Sequence, residues 1–91
     1  MQNTDSQQVI KRFFEALNLL KAHKIIRGKQ TFTKQYNINR WNMNNLQKNL
    51  SSDIFQVAWL TYLVKDYNIS ATWLLTGMGD PFIKKKEADT N

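Results

Sequence analysis

The segment from Arg40 to Lys48 carries the side chains best suited to chemistry. An amide pairs a donor with an acceptor, and a guanidinium is a planar fork of donors. Such groups make two-pronged hydrogen bonds with base edges, amides with adenine and Arg with guanine. Wound at about 100° per residue, the segment and the turn after it collect Met43, Leu46 and Leu50 on one side. Trp41, Asn44, Asn45 and Lys48 fall on the opposite side, with Arg40 on the N-terminal flank. A tryptophan edge there could meet a thymine methyl or lie along the sugar-phosphate wall, and no acid on the segment would repel phosphate. Each residue also has a structural reading. The chain holds ten Asn and seven Gln, so the amides fit a biased composition as well. Trp41 fits a core-rim residue folded back onto its neighbours, and Lys48 fits a cation placed to complement a helix C-terminus.

The surrounding composition narrows the choice. The 91 residues carry thirteen Lys and Arg against seven Asp and Glu, net +6, and amount to one small domain. The imbalance is concentrated. Residues 1–50 hold nine basic and two acidic side chains, and no acid lies between Glu15 and Asp53. Residues 51–80 hold Lys65 against Asp53, Asp66 and Asp80. A basic half of this kind is either a solvated face or a surface for a polyanion, and charge alone does not choose between nucleic acid and acidic lipid. With no cysteine and a single histidine, His23, disulfides, thiolate chemistry and Cys- or His-rich metal sites are excluded. No paired carboxylates in an apolar setting, nucleophile elbow or phosphate loop is present, so no enzyme activity, cofactor or small-molecule substrate is expected. Gly77-x-Gly79 lacks a preceding strand and reads as a helix stop. No run of about 18 apolar residues could span a membrane, and the polar start lacks a signal-peptide layout, which points to the cytoplasm.

The elements that must position these side chains are helical. Residues 5–26 predict a first helix, opened by Thr4-x-x-Gln7 or Asp5-x-x-Gln8 as a capping box. Its stripe is Ile10, Phe13, Phe14, Leu17 and Leu20, and Gly28 is its expected stop. Exposed His23 sits in its last turn. Residues 30–37 predict a two-turn helix with Phe32 and Tyr36 on one face, broken by Asn37, which tolerates positive φ. A third helix runs from Asn39 or Arg40 to Asn49. A fourth spans 53–67 with Asp53 as N-cap and Ile54, Val57, Leu60, Leu63, Val64 and Tyr67 as its apolar face. Ser70 caps a fifth, Ala71 to Thr76, ended by Gly77, and Gly79-Asp80-Pro81 is a turn. The expectation is an all-α fold of five helices: an arm at 1–5, a domain at 6–82, and a basic, flexible tail at 83–91 whose Lys84, Lys85 and Lys86 read as a solubilising end.

The second and third helices satisfy the requirements of a helix-turn-helix. With the turn at Asn37, the buried offsets are filled by Phe32, Tyr36, Ile38, Met43 and Leu46, and the second helix of the pair has a polar outer face.

On these residues the segment from Lys29 to Lys48 resembles the phage repressor and Cro-like (lambda-repressor-like, XRE-type) helix-turn-helix family. The segment from Tyr67 to Phe82, with Trp73-Leu-Leu-Thr-Gly-Met-Gly79, is similar to the WLLTGxG signature of repressors from phages and Bacteroides-like bacteria. The likeness covers about residues 6–82. Two positions depart from the family, which usually has glycine where Asn37 stands and alanine where Thr33 stands. The resemblance implies a regulator, a repressor by type, that binds double-stranded DNA as a homodimer. It implies phosphate contacts from Lys29, Gln30 and Thr31, where helix-start N–H groups favour an anion, and from Lys34. Asn39, Arg40, Trp41, Asn44, Asn45 and Lys48 would face the major groove. Related repressors often carry a C-terminal self-cleaving peptidase domain, so the chain fits either a stand-alone regulator or the DNA-binding part of a longer one. The alternative function is an antitoxin-like module gripping a partner protein through helices four and five, with Trp59 and Tyr62 as the exposed grip.

Overall fold

The computed structural model describes residues 4–83; residues 1–3 of the expected arm and the expected lysine-rich tail after Ile83 lie outside them. Among the described residues there are five α-helices and no β-strand. They are α1 (Thr4–Ala22), α2 (Lys29–Gln35), α3 (Arg40–Lys48), α4 (Val57–Tyr67) and α5 (Ala71–Thr76). No helix is long and apolar enough to cross a membrane.

The α1 stripe is buried as its spacing requires, Ile10, Phe13, Phe14, Leu17 and Leu20 being joined by Ala16. The helix stops four residues before the expected end, and Gly28 is not its stop. Lys24 takes the left-handed conformation (φ 62°). Its N–H bonds to Lys21 O and that of Ile25 to Leu20 O, both at 2.9 Å. This pair of bonds closes the last turn and satisfies its carbonyls. The cause is tertiary. After Leu20 the apolar rhythm of α1 fails, and the chain must turn for Ile26 to reach the core, where it is buried. A lysine in this conformation costs about 1 kcal/mol, which burial of an isoleucine, about 1.5–3 kcal/mol, offsets. Gly28 is instead the extended residue that precedes α2 (φ 169°).

Phe13 is the centre of the core. Its ring meets Phe14 at 5.1 Å, Phe32 of α2 at 5.6 Å, Phe55 at 5.4 Å and Trp59 of α4 at 6.0 Å, mostly edge to face, the arrangement aromatic quadrupoles favour. This cluster also corrects the start of α4. Residues 53–56 are not helical, and Gln56, not Asp53, occupies the N-cap position in an extended conformation (φ −118°, ψ 137°). The extended approach lets Phe55 pack against both Phe13 and Trp59, the latter at 5.2 Å. It also rotates the inward face of α4: Trp59 and Leu63 are buried, while Val57, expected inside, is 74% exposed.

The end of the domain follows its local signals. Asn68 ends α4 in the left-handed region (φ 58°), the Ser70 hydroxyl accepts from the Trp73 N–H at 3.2 Å, and Gly77 ends α5 at φ 81°. Gly79 (φ 85°) then reverses the chain. Ser70 N–H donates to Pro81 O at 2.7 Å and Ile83 N–H to Asn68 O at 2.9 Å, a single antiparallel pairing of Ile69 with Phe82 that no strand pattern foretold. Arg12 ties α1 to α5. Its Nε donates to Leu74 O at 2.8 Å and its Nη2 to Leu75 O at 3.1 Å, a cation at the negative end of a helix.

Candidate nucleic-acid interface

The junction of α2 and α3 is built by its turn. Tyr36 N–H bonds to Phe32 O at 3.2 Å and Ile38 N–H to Thr33 O at 2.8 Å, around Asn37 at φ 57°. Asn thus supplies the positive φ for which glycine is the usual choice. Thr33, the second departure from the pattern of the resembled family, is only 3% exposed, and its hydroxyl donates to Gln30 O within α2 at 3.2 Å. The extra oxygen is therefore buried with a partner rather than left unsatisfied. Asn39 then caps α3, its Oδ1 accepting from Asn42 N–H at 3.0 Å.

From that cap, α3 is oriented by Met43 and Leu46, both fully buried. The other side stands free. Trp41 is 71% exposed, and Arg40, Asn44, Gln47 and Lys48 are exposed with it, while Asn45 is half-buried. Of the two readings open for Trp41, the core-rim one is excluded by this exposure. Leu50 lies beyond the helix end and packs half-buried against the core.

The four expected phosphate contacts fall in three different settings. Gln30 and Lys34 are exposed. Thr31 is half-buried, and its hydroxyl oxygen accepts from Arg27 N–H at 3.2 Å, shaping the entry to α2. Lys29 is turned toward α3, its Nζ donating to Asn44 Oδ1 at 3.0 Å and to Gln47 Oε1. Two residues were missed by sequence reasoning. Gln47 lies three residues from Asn44, one turn on along the same flank, which was the available signal. Arg27 is exposed beside Gln30 and Lys34 and adds a cation to the same rim. In the opposite direction, Arg12 is engaged at the end of α5 and does not count toward a free basic face.

Behind α2 a tyrosine cluster fixes the pair of helices to α4. Tyr36 stacks on Tyr62 with centroids 4.0 Å apart and planes 4° from parallel. Tyr36 OH donates to Asp66 Oδ2, and Tyr67 OH to Gln35 Oε1, both at 2.5 Å. Burial, and then the Asp66 carboxylate, hold the Tyr36 proton far above the usual tyrosine range. Burial and the charge on Asp66 push Tyr67 up as well. Both phenols are therefore neutral donors throughout the physiological range.

The partner-grip residues are corrected by the same packing. Trp59 is 4% exposed and lies in the core, and Tyr62 is half-buried under Tyr36. The exposed apolar side chains on that side are instead Val57, Leu75 and Met78. Val57 and Leu75 border an apolar groove of about 300 Å³ between α4 and α5, floored by Leu60, Val64 and Leu74. No group of three or more His, Asp or Glu side chains suited to a metal ion converges among the described residues. Comparison with family models, with curated proteins and with solved structures finds no match for this chain.

Proposed function

We propose that this protein is a helix-turn-helix regulator of the lambda-repressor-like kind, a repressor by type, which binds double-stranded DNA sequence-specifically and reads the major groove with α3. One observation carries the reading. The oily side of α3 is sealed by Met43 and Leu46, while its free side presents Arg40, Trp41, Asn44 and Lys48 with no acid on the helix. An exposed tryptophan among amides and cations is costly in water and useful against a nucleic acid, whose grooves supply both apolar and hydrogen-bonding partners. Arg27, Lys34 and exposed Gln30 along the rim supply backbone contacts, which set register without reading sequence. The cytoplasm is the compartment that goes with this role.

A two-fold operator requires two copies. The α4–α5 groove is the face proposed for a second copy of this chain, because its lining is apolar apart from Thr61 and Lys65 and lies outside the strongly basic residues 1–50. Pairing there keeps the two strongly basic halves apart and leaves both α3 helices free. A solution mass showing only monomer at micromolar concentration, with and without DNA, contradicts the dimer but not DNA reading. The reading itself is tested by selection of bound duplexes from a random pool. The expected result is one enriched motif with two related half-sites about 10–10.5 base pairs apart, or a multiple of that spacing. A pool that emerges unenriched refutes it.

A further inference from the structure

A helix wheel leaves open which end of an amide faces outward; here the Lys29 ammonium decides it. Lys29 is half-buried at the start of α2, and its head reaches α3. There Nζ donates to Asn44 Oδ1 at 3.0 Å and to Gln47 Oε1. An ammonium has three donors and no acceptor. Both amides must therefore turn their oxygens toward it, and both NH2 groups away from it. What α3 presents at this flank is a set of donors: two amide NH2 groups, the remaining N–H of Lys29, and exposed Arg40.

A set of donors reads an edge made of acceptors. In the major groove guanine offers two, N7 and O6, whereas adenine offers N7 beside an amino group that is itself a donor. An amide free to rotate pairs with adenine by presenting both its ends. An amide whose oxygen is already engaged by a cation does so less well, and an adenine amino group opposite it would meet donors. We propose that Lys29, Asn44 and Gln47 act as one donor-only reading unit that selects guanine, with Lys29 as a positioning residue rather than a phosphate contact. The inference rests on α3 being the DNA-reading helix.

The test uses the full chain and duplexes from random-pool selection. Asn44→Ala first identifies the base pair it reads, as the position whose preference it abolishes. The wild-type chain should show guanine there. Lys29→Met keeps the apolar stem and removes the donors, which frees both amide oxygens. It should move the preference at that position toward adenine by about tenfold or more, with other positions unchanged. Lys29→Arg, which restores donors to the amides, should retain guanine, and Gln47→Met should weaken the same preference. Unchanged helicity by circular dichroism separates these effects from unfolding. The unit is overturned by adenine at that position in the wild-type chain. It is also overturned by an Asn44→Ala variant that alters no position, or by Lys29→Met binding every duplex more weakly with preference intact, which places Lys29 on a phosphate. A wild-type chain that enriches no duplex at all refutes the DNA reading itself.

Discussion

Two faces of this small domain stay open for opposite reasons. The outer side of α3 is left free because it is polar: its amides and cations are solvated, and only Trp41 is costly there. The α4–α5 groove is left free although it is apolar, because Trp59 and Leu63 fill the core and leave Val57 and Leu75 outside. A face held by charges and amides is sensitive to salt and selective for pattern, since counterions compete with it and geometry discriminates. A face of methyl groups is indifferent to salt and closes by area. On the reading proposed above, the first takes a patterned polyanion and the second another protein surface, a second copy of this chain. Both hang on the Phe13 cluster, through Phe32 for α2 and through Phe55 and Trp59 for α4.

The strongest way to break the comparison is therefore at its shared support. Phe13→Ala should cost about 3–5 kcal/mol of stability in chemical denaturation and abolish both faces together. A variant that loses one face and keeps the other would show that they do not share a core. Next in size, Asn44→Ala or Arg40→Ala should cost about 1–3 kcal/mol on the preferred duplex and little on random DNA. Self-association, measured by sedimentation, should not change; an effect on association instead of binding would exchange the roles of the two faces. Smaller again, Lys34→Ala should weaken all duplexes alike and flatten the logarithmic salt dependence by about one unit, whereas added salt should leave dimerisation intact.

The smallest effect concerns the joint between the faces, where Tyr36 and Tyr67 fasten α2 to α4. Their phenols lose protons less readily in the folded chain than the ordinary tyrosine value of 10.0. Above that pH the unfolded chain releases protons that the folded one retains, so unfolding is favoured as pH rises. Stability should be flat through neutral pH and decline above about 10. Tyr36→Phe, which keeps the stack on Tyr62 but not the hydrogen bond to Asp66, should make the decline shallower. An equal decline in the variant would assign it to other groups.

What could be read in the sequence divides along the same line between local and distant causes. The α5 cap at Ser70, its end at Gly77 and the turn at Asn37 are set by the residues themselves and were legible. So were the buried sides of α1 and α3, whose apolar spacing has one solution. The start of α4 was not, because the non-helical path of residues 53–56 is imposed by Phe55 reaching Phe13. The end of α1 was not, because Lys24 adopts a glycine-like conformation to deliver Ile26 to the core. In the candidate interface, periodicity foretold the exposure of Arg40, Trp41, Asn44 and Lys48, but it set Asn45 on the same open side, where the chain half-buries it. Gln47 and the turned head of Lys29 were not foretold, since a hydrogen bond between side chains 18 residues apart on different helices leaves no periodic trace.

The most direct measurement is the affinity of the protein for its selected duplex and for a scrambled duplex of the same length, each at two salt concentrations. Both duplexes carry the same charge, so whatever separates them is read from sequence rather than from charge. The account predicts a ratio of about a thousandfold or more in favour of the selected duplex. Both affinities should fall as salt rises. Equal affinities at both salt concentrations would mean that α3 serves as a charged surface and reads nothing.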